Sequence, residues 1–191
     1  MIITMNEKHQ YLVDDILTIS VTQILHRMFP TKYEGVPKSV LENAANRGNK
    51  IHEVIEKYAL NPTEDRKMDM ELLGINYALL ARNNDIHIDS SEQSLAFIDG
   101  GNPLYAGTYD LQGSINNKPA LLDIKCTAQC DKKYLAWQLT MYAMAWEQTT
   151  GEEIKQLACI WMPKNGIGQY IPIERLDSRY VLTEVTKIVQ S

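Results

Sequence analysis

The spacing of apolar residues switches along this chain between short alternating runs and long helical stripes, and the switches predict its elements. Short runs at Ile2-Ile3 and Tyr11-Val13, broken at Asp14-Asp15, predict an N-terminal β-hairpin within residues 2 to 19. Ser20-Val21-Thr22-Gln23 then has the capping-box pattern, with Ile24, Leu25 and Met28 following at helical spacing. This short helix should end near Pro30. From Pro37 to Leu60, the residues Val40, Leu41, Ala44, Ala45, Ile51, Ile55 and Tyr58 lie on or near one stripe of a long helix, which Pro62 stops. Glu64 to Asn84 reads as helix again through Met68, Met70, Leu72, Leu73, Ile75, Leu79 and Leu80.

The middle of the chain changes character. Ile86 to Ile98, Leu104 to Ile115 and Ala120 to Cys126 are short, β-prone and separated by turn residues, which predicts three consecutive antiparallel strands. A helix over Lys132 to Gln148 follows, then strands near Gln156 to Met162 and Gly168 to Ile173 around the turn Pro163-Lys164-Asn165-Gly166, then a helix from Ser178 to Val189. The order is that of an α+β fold around one mixed sheet. There is no internal repeat or obvious linker, so residues 1 to 191 read as one domain, with the N-terminal hairpin and short helix over 1 to 35 and the core over 36 to 191.

Composition narrows the possibilities. A chain of 191 residues that is 45% hydrophobic can bury a substantial core. No apolar run is long enough to span a membrane and the N-terminus lacks the pattern of a signal peptide, so a cytoplasmic protein is expected. Cys126, Cys130 and Cys159 lack the clustered pairs of a zinc or iron–sulfur site and read as free thiols. The net charge of -5 weighs against a nucleic-acid partner, unless Arg27, Lys32, Lys38, Arg47, Lys50, Lys125, Lys132 and Lys133 line one groove.

Candidate chemistry comes from counting strand register. If Asn116-Asn117 is a two-residue hairpin loop, Ile115 faces Lys118, and counting back places Asp110 opposite Asp123. Facing Cβ atoms lie about 4.5–5.5 Å apart, where like charges repel and a cation is favoured. Alternation puts Lys125 on the face of Asp123, with Leu122, Ile124 and Cys126 on the other. A divalent metal on the two acids would suit a phosphodiester, with Lys125 orienting the nucleophile or stabilising developing negative charge. Spacing alone leaves open that both acids are hairpin surface residues neutralised by Lys125. It equally leaves His52, one turn before Glu56, as half of an exposed pair, and Tyr142, Trp137 and Trp146 as core residues.

Four segments in order resemble the motif series of RecB-like PD-(D/E)XK nucleases. They are Arg47-Gly48-Asn49-Lys50-Ile51-His52, Gly107-Thr108-Tyr109-Asp110, Leu121-Leu122-Asp123-Ile124-Lys125 and Gln138-Leu139-Thr140-Met141-Tyr142. His9-Gln10-Tyr11 and Ser20 to Leu25 also resemble the openings of phage-type exonucleases in that superfamily. The resemblance implies a restriction-endonuclease-like core and a Mg²⁺- or Mn²⁺-dependent DNA nuclease of recombination or repair, an exonuclease rather than an endonuclease. It implies that Asp110, Asp123 and His52 hold metal, that the Ile124 carbonyl adds a ligand and that Lys125 is catalytic; Glu92 is either a further ligand to metal or water or a solvated strand residue. Gln138, Tyr142 and Arg47 would contact DNA or brace the site. Relatives with iron–sulfur clusters carry four cysteines, so no such cluster is expected here. The partners implied are DNA, a recombination or annealing protein and further copies of the chain, with no membrane. A catalytically weak DNA-binding module on the same fold is the alternative, and a non-nucleic-acid protein with an acidic hairpin is the third reading.

Overall fold

A computed structural model describes residues 1–6, 10–32, 35–60, 68–164 and 167–190. His9, Pro62, Glu64 and the Asn165-Gly166 half of the last expected turn lie outside them.

Strands β1 (Ile3–Met5), β2 (Tyr11–Val13) and β3 (Ile16–Thr18) form an antiparallel meander, so the expected hairpin is a three-stranded sheet. Asp14 and Asp15, at φ 47° and 66°, turn the chain tightly enough for Val13 to pair with Ile16, which the apolar pattern showed only as a break. Helix α1 (Val21–Met28) opens on its capping box: the Gln23 N–H donates to Ser20 Oγ at 3.1 Å and the Ser20 N–H to Gln23 Oε1 at 2.9 Å. The Ala106 N–H donates to the Ile19 carbonyl, tying this N-terminal segment to the central sheet.

That sheet has the order β4 (Ile86–Asp99), β5 (Asn102–Ile115), β6 (Lys118–Lys125), β7 (Gln156–Trp161) and β8 (Gln169–Ile173). The first three strands are consecutive and antiparallel, as expected. Helix α4 (Lys132–Thr150) carries the chain across a face of the sheet, so β7 runs parallel to β6 before β8 returns antiparallel and makes the sheet mixed. Among the described residues no helix is long and apolar enough to cross a membrane.

Alternation along the strands builds two cores. Leu111, Leu122, Ile124 and Ile160 face helices α2 (Lys38–Leu60) and α3 (Met68–Asn83), where they meet Val54, Ile55, Tyr58 and Leu80. Leu121, Leu157 and Cys159 face α4, which is covered in turn by α1 and α5 (Ser178–Gln190). Helix α4 is consequently buried on nearly all sides rather than on one stripe. The stripe of α2 divides: Ile51, Ile55 and Tyr58 are buried, whereas Ala44 and Ala45 are exposed and Val40 is 53% exposed.

Asn116 and Asn117, at φ 49° and 57°, form the expected two-residue turn, with Ile115 paired to Lys118. The β4–β5 register shifts between Ile88 and Ser90, which brings the β4 backbone over Gly113. A Cβ there would strike the His87 carbonyl oxygen and come within 2.8 Å of Ile88 Cα. Gly113→Ala should therefore lower stability by about 2 kcal/mol, read from the denaturant midpoint, because the obstacle is backbone and not a side-chain end. An unchanged midpoint would show that β4 yields at this place.

Candidate metal centre and active site

The register set by Asn116-Asn117 runs as counted to Leu111↔Leu122, and there the pairing of β5 with β6 ends. β5 remains paired with β4 beyond that point, and β6 with β7. The expectation that Asp110 sits directly across a closed ladder from Asp123 is thereby corrected: the two strands part at these residues. Like charges at ladder spacing oppose closure, and the Asp110 side chain takes over part of the missing ladder, its Oδ2 accepting the Ile124 N–H at 2.7 Å. On the other side Glu92 lies between the pairs Ser91↔Leu111 and Gln93↔Tyr109, across from Asp110, and turns into the left-handed region at φ 50°. Glu92, Asp110 and Asp123 thus occupy one row across three strands.

Asp123 is 2% exposed and belongs to the same face as Lys125, as alternation required. Lys125 Nζ donates to its Oδ1 at 2.8 Å, while Oδ2 lies 2.7 Å from the same nitrogen but takes no hydrogen bond among the described residues. Burial, reinforced by the charge of Asp110 and opposed by that of Lys125, pushes the Asp123 carboxyl up to about 6. Burial acts to lower the Lys125 ammonium, but Asp123 and Asp110 prevail and raise it above its ordinary value, so Lys125 is a cation at neutral pH.

His52, on α2, reaches the fork from the opposite layer. Its Nε2 lies 2.9 Å from the Ile124 carbonyl oxygen and its Nδ1 3.7 Å from Asp110 Oδ2. The structure therefore brings together His52, Asp110, Asp123, Ile124 and Lys125. It also draws in Glu56, which sequence reasoning noted only as a neighbour of His52 one helical turn away. Ligand atoms of His52, Glu56 and Glu92 all lie within 4.8 Å of one another. Burial, then the charge of Glu56 and a hydrogen bond with it, pushes Glu92 up to about 7, and burial raises Glu56 as well.

From α4, Gln138 and Tyr142 stand behind the acids. Both are buried, and burial followed by the charges of Asp110 and Asp123 raises the Tyr142 phenol well above its ordinary value. The ring packs against Gly107, where a Cβ would lie 2.7 Å from Tyr142 Cε1. Tyr142 is thus a packing residue that also adjoins the acids, and Gln138 hydrogen-bonds to it. Trp137 and Trp146 belong with the core around α4.

Arg47 braces the site. Its guanidinium donates to the carbonyls of Cys126 at 3.0 Å and Met162 at 3.3 Å, holding the segment that follows Lys125. Several other cations expected to line a groove are engaged: Arg27 with the Ile188 carbonyl, Lys32 with Asp131 at 3.1 Å and Lys38 with Glu42 at 3.6 Å.

Carboxylate and carbonyl oxygens with one imidazole make a donor set suited to a hard divalent cation. A cation competes with the proton for Asp123, so divalent-metal affinity should hold above a pH of about 6 and weaken as the pH falls through it. Mn²⁺ calorimetry across this range checks the point: Asp123→Asn should lose tight binding, and a wild-type affinity indifferent to pH would remove Asp123 from the ligand set.

The fold resembles the crystal structure of SSO0001, with a TM-score of 0.50 at 17% identity over 91% of this chain and 75% of the other. At that identity the likeness concerns the chain path alone. No protein-family model matches this chain, and no curated protein matches it.

Proposed function

We propose that this chain is a metal-dependent deoxyribonuclease of the PD-(D/E)XK type on a restriction-endonuclease-like core, working as an exonuclease in recombination or repair. The observation that carries this reading is the meeting of Asp110, Asp123, Lys125, His52 and the Ile124 carbonyl where β5 and β6 part. Acids on a flat hairpin surface would be solvated, whereas Asp123 is buried with Lys125 against it.

Mg²⁺ or Mn²⁺ held by these groups would polarise a phosphodiester and lower the pKa of bound water. Lys125, cationic beside Asp123 and Asp110, is suited to stabilise charge developing on the phosphoryl oxygens. Asp110 holds the Ile124 amide and so fixes the neighbouring carbonyl that His52 faces. Arg47 steadies the backbone immediately after Lys125.

End-labelled linear and closed circular DNA, single- and double-stranded, incubated with Mg²⁺, Mn²⁺ or EDTA, tests the reading. Metal-dependent loss of linear DNA is expected. Asp110→Asn, Asp123→Asn and Lys125→Ala should each lower the rate by about 100-fold or more while circular dichroism shows a folded protein. Full activity in any of the three would remove that residue from the site. No cleavage by folded, metal-supplied wild type would leave a DNA-binding module as the better account.

A further inference from the structure

Lys125 stands where two cavities meet. One, of about 410 Å³, is lined by Leu41, Ala44, Ala45, Gly48, His52 and Cys126. The other, of about 430 Å³, is lined by Thr22, Lys32, Gln129, Asp131, Tyr134 and Gln138. Lys125 and Thr127 border both. The first has a wall of small apolar side chains supplied by the exposed half of α2, and it runs into the candidate site through His52, Ile124 and Lys125. Its continuity with that site makes the substrate its occupant.

The charges here are poorly suited to a duplex. Lys32 is ion-paired with Asp131 and has its Nζ 3.2 Å from the Tyr134 ring centroid. Arg47 is taken up by backbone carbonyls. With these cations engaged on a chain of net charge -5, attraction for a second phosphate backbone is reduced and contact with bases adds to binding. Base faces and base N–H groups are available on an unpaired strand and are occupied within a duplex. Gln138 supplies an independent sign: it is 8% exposed, borders the second cavity, and its Oε1 has no hydrogen-bond partner among the described residues. A buried acceptor calls for a donor, which phosphate lacks and an unpaired base carries.

We propose that the two cavities receive an unpaired DNA strand crossing Lys125, with a base against the Ala44-Ala45 wall on one side and a base N–H group turned to Gln138 on the other. This rests on the nuclease reading and assigns its substrate class. Ala45 is exposed on a helix, so Ala45→Glu should fold while placing a carboxylate on the wall, and Ala45→Leu keeps the wall apolar.

Fluorescence anisotropy with a short labelled oligonucleotide, with Ca²⁺ in place of Mg²⁺, reads binding. The wild type should hold the single strand about tenfold or more tightly than a blunt duplex of equal length, and Ala45→Glu should weaken the single strand about tenfold while Ala45→Leu retains it. Raising salt from about 50 to about 200 mM should cost under about tenfold, where a protein reading six or more phosphates loses about a thousandfold. Duplex bound as tightly as single strand, or Ala45→Glu binding like wild type, would overturn the proposal. A parallel cleavage assay in Mg²⁺ separates the two ideas. Metal-dependent cleavage of duplex alone keeps the nuclease reading and ends this one. Single-strand binding that Ala45→Glu weakens, without cleavage of any DNA by folded wild type, supports the strand site and ends the nuclease reading.

Discussion

The ladder between β5 and β6 ends at Leu111↔Leu122, just before Asp110 and Asp123, whose like charges would repel across a closed ladder. Both strands stay anchored as they separate: β5 keeps its pairing to β4, and β6 keeps its pairing to β7. Below the opening, Leu111 and Leu122 pair across the ladder and pack in the same core beneath α2 and α3. The Asp110 carboxylate spans the gap to the Ile124 amide. The fork turns what would be a solvated acidic hairpin into a throat where Asp123 is almost wholly buried.

Each layer of the fold delivers something to that throat. Helix α2 brings His52 and Glu56 from one face, α4 sets Gln138 and Tyr142 against the other, and the bend of β4 at Glu92 closes the row. Burial and mutual charge raise the Glu56 carboxyl and push that of Glu92 up to about 7, whereas Lys125 stays charged between Asp123 and Asp110. Carboxyls raised by burial and a lysine that keeps its proton thus sit within one small volume.

Much of this was legible from local pattern. Asn116-Asn117 fixes a register because asparagine tolerates the left-handed backbone that a two-residue turn needs, and counting from it gives the pairs from Ile115↔Lys118 to Leu111↔Leu122. Ser20 and Gln23 declare a helix start by chemistry confined to four residues. What could not be counted depends on distant partners. Where the strands part, β5 stays paired to β4 and β6 to β7, contacts that no local pattern contains. The pairing of Lys32 with Asp131 and the capture of Arg47 by Cys126 and Met162 join segments far apart in the chain. The exposed half of α2 looks, as a pattern, no different from the buried half, because periodicity reveals a face and not what covers it.

The contact between Tyr142 and Gly107 has a bearing on how such chains diverge. The phenol ring occupies the space a side chain at position 107 would need, so the glycine three residues before Asp110 and the tyrosine four residues after Gln138 are two halves of one steric fit. Neither position is free to drift alone: a larger residue at 107 needs a smaller one at 142, and a smaller ring at 142 leaves a void against β5. Lineages sharing this architecture should therefore exchange the two residues in concert.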